Sequence, residues 1–217
     1  MIRFLMLFLI YKICFSASLK EVFETALPSG EYDKYIELET GEIYTGGLLI
    51  GKVYNPVTAK LEGEEGLNVK ISGNGAIIDL QGSEIVISFC KNRLDIDNCI
   101  ILNGGIKYRG DIFGNEEILP FGTVEYVTFY KPYDYAVKLK GAGKDIIIRR
   151  NIAVDAVDTG AGFQIYNSMM NDLIKTGMSF GLSGNYGGYG IPEVIENWSY
   201  HSDDVVNADL LNHFGFL

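Results

Sequence analysis

Apolar residues in this chain come mostly in short runs, broken by Gly, Asn or Asp. Tyr35-Ile36-Glu37-Leu38, Leu48-Leu49-Ile50, Val69-Lys70-Ile71, Ala76-Ile77-Ile78-Asp79-Leu80 and Glu84-Ile85-Val86-Ile87 are examples. Each has the length of a strand and none reaches that of a helix. The exception lies near the start. Ser18-Leu19-Lys20-Glu21 is a capping box, and Leu19, Val22, Phe23 and Ala26 then fall on one helical face. Pro28-Ser29-Gly30 is expected to end that short helix.

The runs repeat. Leu94-Asp95-Ile96-Asp97-Asn98-Cys99-Ile100 aligns with Ile147-Ile148-Arg149-Arg150-Asn151-Ile152-Ala153 and with Val194-Ile195-Glu196-Asn197-Trp198-Ser199. Tyr126 and Gly177 take the turn position in two further copies. A recurrence of roughly 20 to 30 residues marks a solenoid, in which like strands stack in parallel and a helix covers the open end. The pattern predicts an all-β fold, a right-handed parallel β-helix with a short N-terminal capping helix. Asn98, Asn151 and Asn197 are expected at the bends. Asn tolerates left-handed backbone there, and its amide can bond to the matching residue one coil away. Gly110 to Gly122 and Gly181 to Gly190 interrupt the rhythm and are expected as loops leaving the coil. Only five or six coils are recognisable and no C-terminal cap is evident, so the domain is expected to be incomplete at its C-terminal end.

The first residues change the picture. Arg3 precedes the apolar run Phe4 to Ile10, and Ser16-Ala17-Ser18 follow. The run is too short for a membrane span and reads as a signal peptide at 1–18, with the solenoid at 19–217. That predicts a secreted protein without a permanent membrane anchor. Cys90 and Cys99 would then remain. They read as small buried hydrophobes, with a disulfide as the alternative. The formal net charge of -10 argues against nucleic acid as a partner. It leaves an acidic sugar polymer open, because Ca²⁺ can bridge carboxylates on both sides.

Thr40-Gly41-Glu42-Ile43-Tyr44-Thr45-Gly46-Gly47 looks like the opening of many secreted β-helix lyases. Asp134-Tyr135-Ala136-Val137-Lys138-Leu139-Lys140, Ile148-Arg149-Arg150-Asn151-Ile152-Ala153-Val154 and Gly162-Phe163-Gln164-Ile165 resemble successive coils of polysaccharide lyase family nine. The resemblance implies an acidic, uronate-rich polysaccharide as partner and Ca²⁺ as cofactor. It implies Ca²⁺ ligands at Asp134 and Asp158, with Asp155 beside them. Thr159 and Gln164 stand where further carboxylates are expected. Lys138, Arg149 and Arg150 are the candidate substrate contacts, and Lys140 and Lys144 are further cations that could meet a polyanion. Uronate elimination needs a base and a cation, and no lysine follows Lys175 to act as the family's base. A non-catalytic β-helix surface or adhesion module, or a truncated lyase fragment, is the alternative. His201, Asp203 and Asp204 form a weaker acid/base candidate, since adjacent strand residues face opposite ways.

Overall fold

Strands of three to five residues with left-handed residues between them force the chain to turn before any helix can propagate. The computed structural model describes residues 16–110, 118–132, 135–142 and 145–155. It also describes the backbone of four later strands, Phe163–Tyr166, Asn171–Ile174, Glu193–Ile195 and Trp198–Tyr200. The strands form three seven-stranded sheets.

Sheet I stacks Leu27–Ser29, Tyr32–Glu37, Val69–Ser72, Arg93–Asp97, Phe121–Glu125, Ile146–Arg149 and Glu193–Ile195. Sheet II stacks Ala17–Ser18, Ile43–Thr45, Ile77–Asp79, Ile100–Leu102, Thr128–Tyr130, Ile152–Val154 and Trp198–Tyr200. Sheet III stacks Lys60–Gly63, Leu48–Asn55, Glu84–Ser88, Gly105–Arg109, Val137–Lys140, Phe163–Tyr166 and Asn171–Ile174. Neighbours are parallel except where a sheet ends in a hairpin. Those hairpins join Leu27–Ser29 to Tyr32–Glu37, Lys60–Gly63 to Leu48–Asn55, and Asn171–Ile174 to Phe163–Tyr166. From Val69 to Val154 the chain visits sheets I, II and III in turn, so each circuit adds one strand to each sheet. The result is an all-β, solenoid-like fold.

The register stacks like on like. Ile36, Ile71, Ile96, Val124 and Ile148 align down sheet I. Tyr44, Ile78, Ile101, Phe129 and Ala153 align down sheet II. Ile50, Ile87, Tyr108 and Leu139 align down sheet III. Nearly all of these are fully buried. At roughly 1.5–3 kcal/mol per buried large side chain, these columns are the main source of stability. Tyr108 is fully buried, and its hydroxyl donates to the Leu94 carbonyl across the core at 2.6 Å. The next coil can approach Leu94 only because Gly122 lacks a side chain. A Cβ there would stand 2.0 Å from the Leu94 oxygen, and its φ of 140° suits glycine.

The capping helix is Leu19–Thr25, with the Ser18 hydroxyl accepting from the Glu21 amide at 3.4 Å. Leu19 is fully buried, and Val22, Phe23 and Ala26 pack on the core. The helix stops before Pro28, because Leu27–Ser29 pairs with Tyr32–Glu37. Ala17–Ser18 pairs with Ile43–Thr45, so the folded chain includes the last two residues of the expected leader; 1–15 lie outside the described residues. No helix among the described residues is long and apolar enough to cross a membrane. Of the loop expected from Gly110 to Gly122, residues 111–117 lie outside the described residues, and its end is already strand Phe121–Glu125. Gly181 to Gly190 lies outside them altogether.

One bend differs from expectation. In the three coils from Arg93 to Val154 the left-handed residues between sheets I and II are Asn98, Tyr126 and Arg150, with φ of 51°, 55° and 55°. Asn98 bends as expected, but on the third coil Arg150 does so and Asn151 follows it. Pairing of Ile100, Thr128 and Ile152 puts Asn151 level with Cys99 and Val127, fully buried. Its Oδ1 accepts from the Val127 amide at 3.0 Å, and its Nδ2 donates to the Val124 carbonyl at 2.9 Å. Asn151 therefore ties one coil to the previous one through backbone rather than through an amide ladder. Asn197 lies outside the described residues.

Candidate cation-rich site on sheet III

Two neighbouring strands of sheet III read apolar-cation-apolar-cation: Ile106-Lys107-Tyr108-Arg109 and Val137-Lys138-Leu139-Lys140. Strand alternation buries Ile106, Tyr108, Val137 and Leu139 and turns the four cations to the outer face. Parallel pairing sets Lys107 beside Lys138 and Arg109 beside Lys140. With strands roughly 4.8 Å apart and like-facing residues roughly 6.6 Å apart along a strand, the four make a compact square.

Each cation is held by its surroundings. Lys107 bonds to the Glu84 carboxylate at 2.9 Å and 3.2 Å. The Arg109 guanidinium lies 4.9 Å from the Phe89 ring centre, and the Lys138 ammonium 4.9 Å from that of Tyr135. Such cation–ring contacts fix long side chains in place. Lys140 carries the mark of crowding. Its pKa is lowered, first by partial burial and then by repulsion from Arg109, Lys107 and Lys138. A bound anion would relieve that repulsion. All four side chains are half-buried on the outer face of the sheet.

The substrate contacts expected from sequence do not share a face. Lys138 belongs to this square. Arg149 ends a strand of sheet I, where its Nε donates to Glu125 at 2.6 Å. Arg150 occupies the bend between sheets I and II. It donates to the Tyr126 hydroxyl and lies over its ring at 5.6 Å. Lys107 and Arg109 were missed, although the repeated apolar-cation alternation was legible in both strands.

Of the expected Ca²⁺ ligands, Asp134 and Asp158 lie outside the described residues. So do Lys144, His201, Asp203 and Asp204. Asp155 occupies the bend after Ile152–Val154, with φ of 52° like Asn103 and Lys131 at the same bend in earlier coils. Among the described residues no group of three or more His, Cys, Asp or Glu side chains converges to hold a metal. No chemical step is assigned to a cation here.

Cys90 and Cys99 are free and buried, as the small-hydrophobe reading expects. Burial pushes their thiols up to about 11 and about 12. Thiolate chemistry at neutral pH is thereby suppressed. Comparison with known proteins adds no relative: no family model, curated protein or solved structure matches this chain.

Proposed function

We propose that this chain is a right-handed parallel β-helix that is exported and binds an acidic, uronate-type polysaccharide on the outer face of sheet III. The observation that carries this reading is the square of Lys107, Arg109, Lys138 and Lys140 in a chain of net charge -10. Four cations gathered on one face, Lys107 among them bonded to Glu84, offer an anionic polymer several contacts at once. The negative charge elsewhere disfavours a nucleic-acid duplex, whereas a single sugar chain needs only one face. The parallel return of each strand to its own sheet supports the handedness, since such connections are right-handed in about 98% of cases.

The test is retardation of the purified chain in gels containing polygalacturonate, with a neutral polymer as control. Retardation by the acidic polymer alone, relieved by salt, is expected. Lys138→Glu/Lys140→Glu is expected to weaken binding by roughly tenfold or more, because two charge-assisted contacts are lost. Equal retardation by the neutral polymer, or unchanged binding of the double variant, would overturn the reading.

A second reading is favoured by the lowered pKa of Lys140. A lysine whose pKa is lowered by partial burial and neighbouring cations gives up its proton more readily than an ordinary lysine, which suits a base toward a uronate. Its amine would take the proton on the carbon next to the carboxylate, while Lys107, Arg109 and Lys138 stabilise the developing negative charge. The electron pair would form the new carbon–carbon double bond as the glycosidic oxygen leaves and takes a proton from water. Ultraviolet absorbance of that double bond is the measurement. Its appearance with the wild type and loss in Lys140→Ala would support elimination. Binding without product would leave a binding module.

A further inference from the structure

The outer face of sheet III has a second character nearer the capping helix. A groove of about 820 Å³ opens there, between the helix and the arm that follows Lys60–Gly63. Leu49, Val53 and Val86 line it, and Leu49 and Val53 are 52% and 38% exposed. Its charged lining is Glu24, Glu62, Glu64, Glu65, Glu84 and Lys20; Lys20 pairs with Glu24, Lys52 with Glu65 and Lys107 with Glu84, which leaves Glu62 and Glu64 as the carboxylates in excess among the described ion pairs. Hydrogen bonds from Asn55 and Thr58 hold the Glu62 carboxyl below its usual range, so it stays ionised.

One continuous face thus carries an acidic, apolar end and a cationic end. The two meet where Lys107 of one strand bonds to Glu84 of the previous one. A two-fold axis lying in the plane of the interface, across the line that joins the two ends, lays each end of one copy on the opposite end of the other, and Leu49 and Val86 lie in the strip between. Two-fold pairing is the commonest mode of self-association, because one patch serves both subunits. We propose that the groove receives the Arg109, Lys138 and Lys140 side chains of a second copy of this chain, forming a two-fold dimer through sheet III. The inference does not depend on the sugar reading, since it requires only the two charged ends. Five strands at roughly 4.8 Å and five residues at roughly 3.3 Å give a face of about 400 Å² per copy. That is about half of what a standard stable interface contributes, so the dimer is weak and salt-sensitive.

The experiment is sedimentation equilibrium with a charge swap. The wild type is expected to show a concentration-dependent dimer at low salt and a monomer in about 1 M salt, where screening is nearly complete. Glu64→Lys/Glu65→Lys and Lys138→Glu/Lys140→Glu are each expected to be monomeric at low salt. All four positions are on the surface, and circular dichroism checks each fold. An equimolar mixture of the two variants restores opposite charges at both contacts and is expected to dimerise. A wild type that stays monomeric at low salt would overturn the proposal. So would a dimer that persists in either variant alone, or a mixture that fails to associate.

Discussion

Sheets I and III use cations in opposite ways on their outer faces. On sheet I the described cations Lys70, Arg93 and Arg149 each meet a carboxylate. Lys70 meets Asp97, Arg149 meets Glu125, and Arg93 bridges Glu31 and Asp95. Asp95 is almost fully buried there, accepting from the Tyr32 hydroxyl at 2.6 Å and the Thr123 amide at 2.8 Å. On sheet III four cations crowd one another and depress Lys140. The first arrangement sets cations against carboxylates, and the second sets cations beside cations, with Lys107 also bonded to Glu84.

The largest test of that contrast is Asp95→Ala. It strips acceptors from Tyr32, Arg93 and the Thr123 amide beneath a covered surface. Loss of an acceptor that serves several partly buried donors costs about 3 kcal/mol. Urea unfolding should show that loss as a lower midpoint at an unchanged slope, while retention of polygalacturonate stays at the wild-type level. Weakened polymer binding at full stability would reverse the roles assigned to the two faces.

The pH dependence separates the faces next. The Tyr32 hydroxyl is raised well above its usual value, first by burial and then by its bond to Asp95. The folded protein then holds a proton that the unfolded chain loses, so stability falls as pH rises past the ordinary tyrosine value of about 10. Lys140 is lowered, so the unfolded chain holds the extra proton. Its contribution to stability rises with pH from its lowered value up to the ordinary lysine value of about 10.4. Polymer affinity moves the other way, declining as Lys140 loses its charge. Binding should therefore weaken as pH rises toward the ordinary lysine range, and the alkaline loss of stability should shrink in Tyr32→Phe. Polymer retention and urea midpoints measured across the same pH series check both.

Much of this architecture was legible because strand alternation and bend residues are local signals. The helix start at Ser18, the strands and their recurrence needed only neighbouring residues. The bend at Asn151 was misread by one position for an equally local reason. Ile146-Ile147-Ile148 offers two inward settings to the eye, and only pairing with Gly122 and Val124 selects Ile146 and Ile148 for the core. The grouping of cations was not local. Lys138 and Arg149 are close in sequence, but a change of sheet separates them. Lys107 and Lys138 are distant in sequence and adjacent in space, one coil apart. A face can be assigned only once the corners have been counted.

Arg149→Ala is the smallest expected change and the sharpest control. The guanidinium sits on the surface with Glu125, and exposed pairs of this kind seldom contribute measurably to stability. The urea midpoint should hardly move. Polygalacturonate retention should match the wild type, because the proposed binding face belongs to another sheet. A clear loss of retention, with the fold intact, would mean that the polymer wraps from sheet III around to sheet I. The neutralised face would then also be a binding face, and pairing within the chain would no longer distinguish structural charges from functional ones.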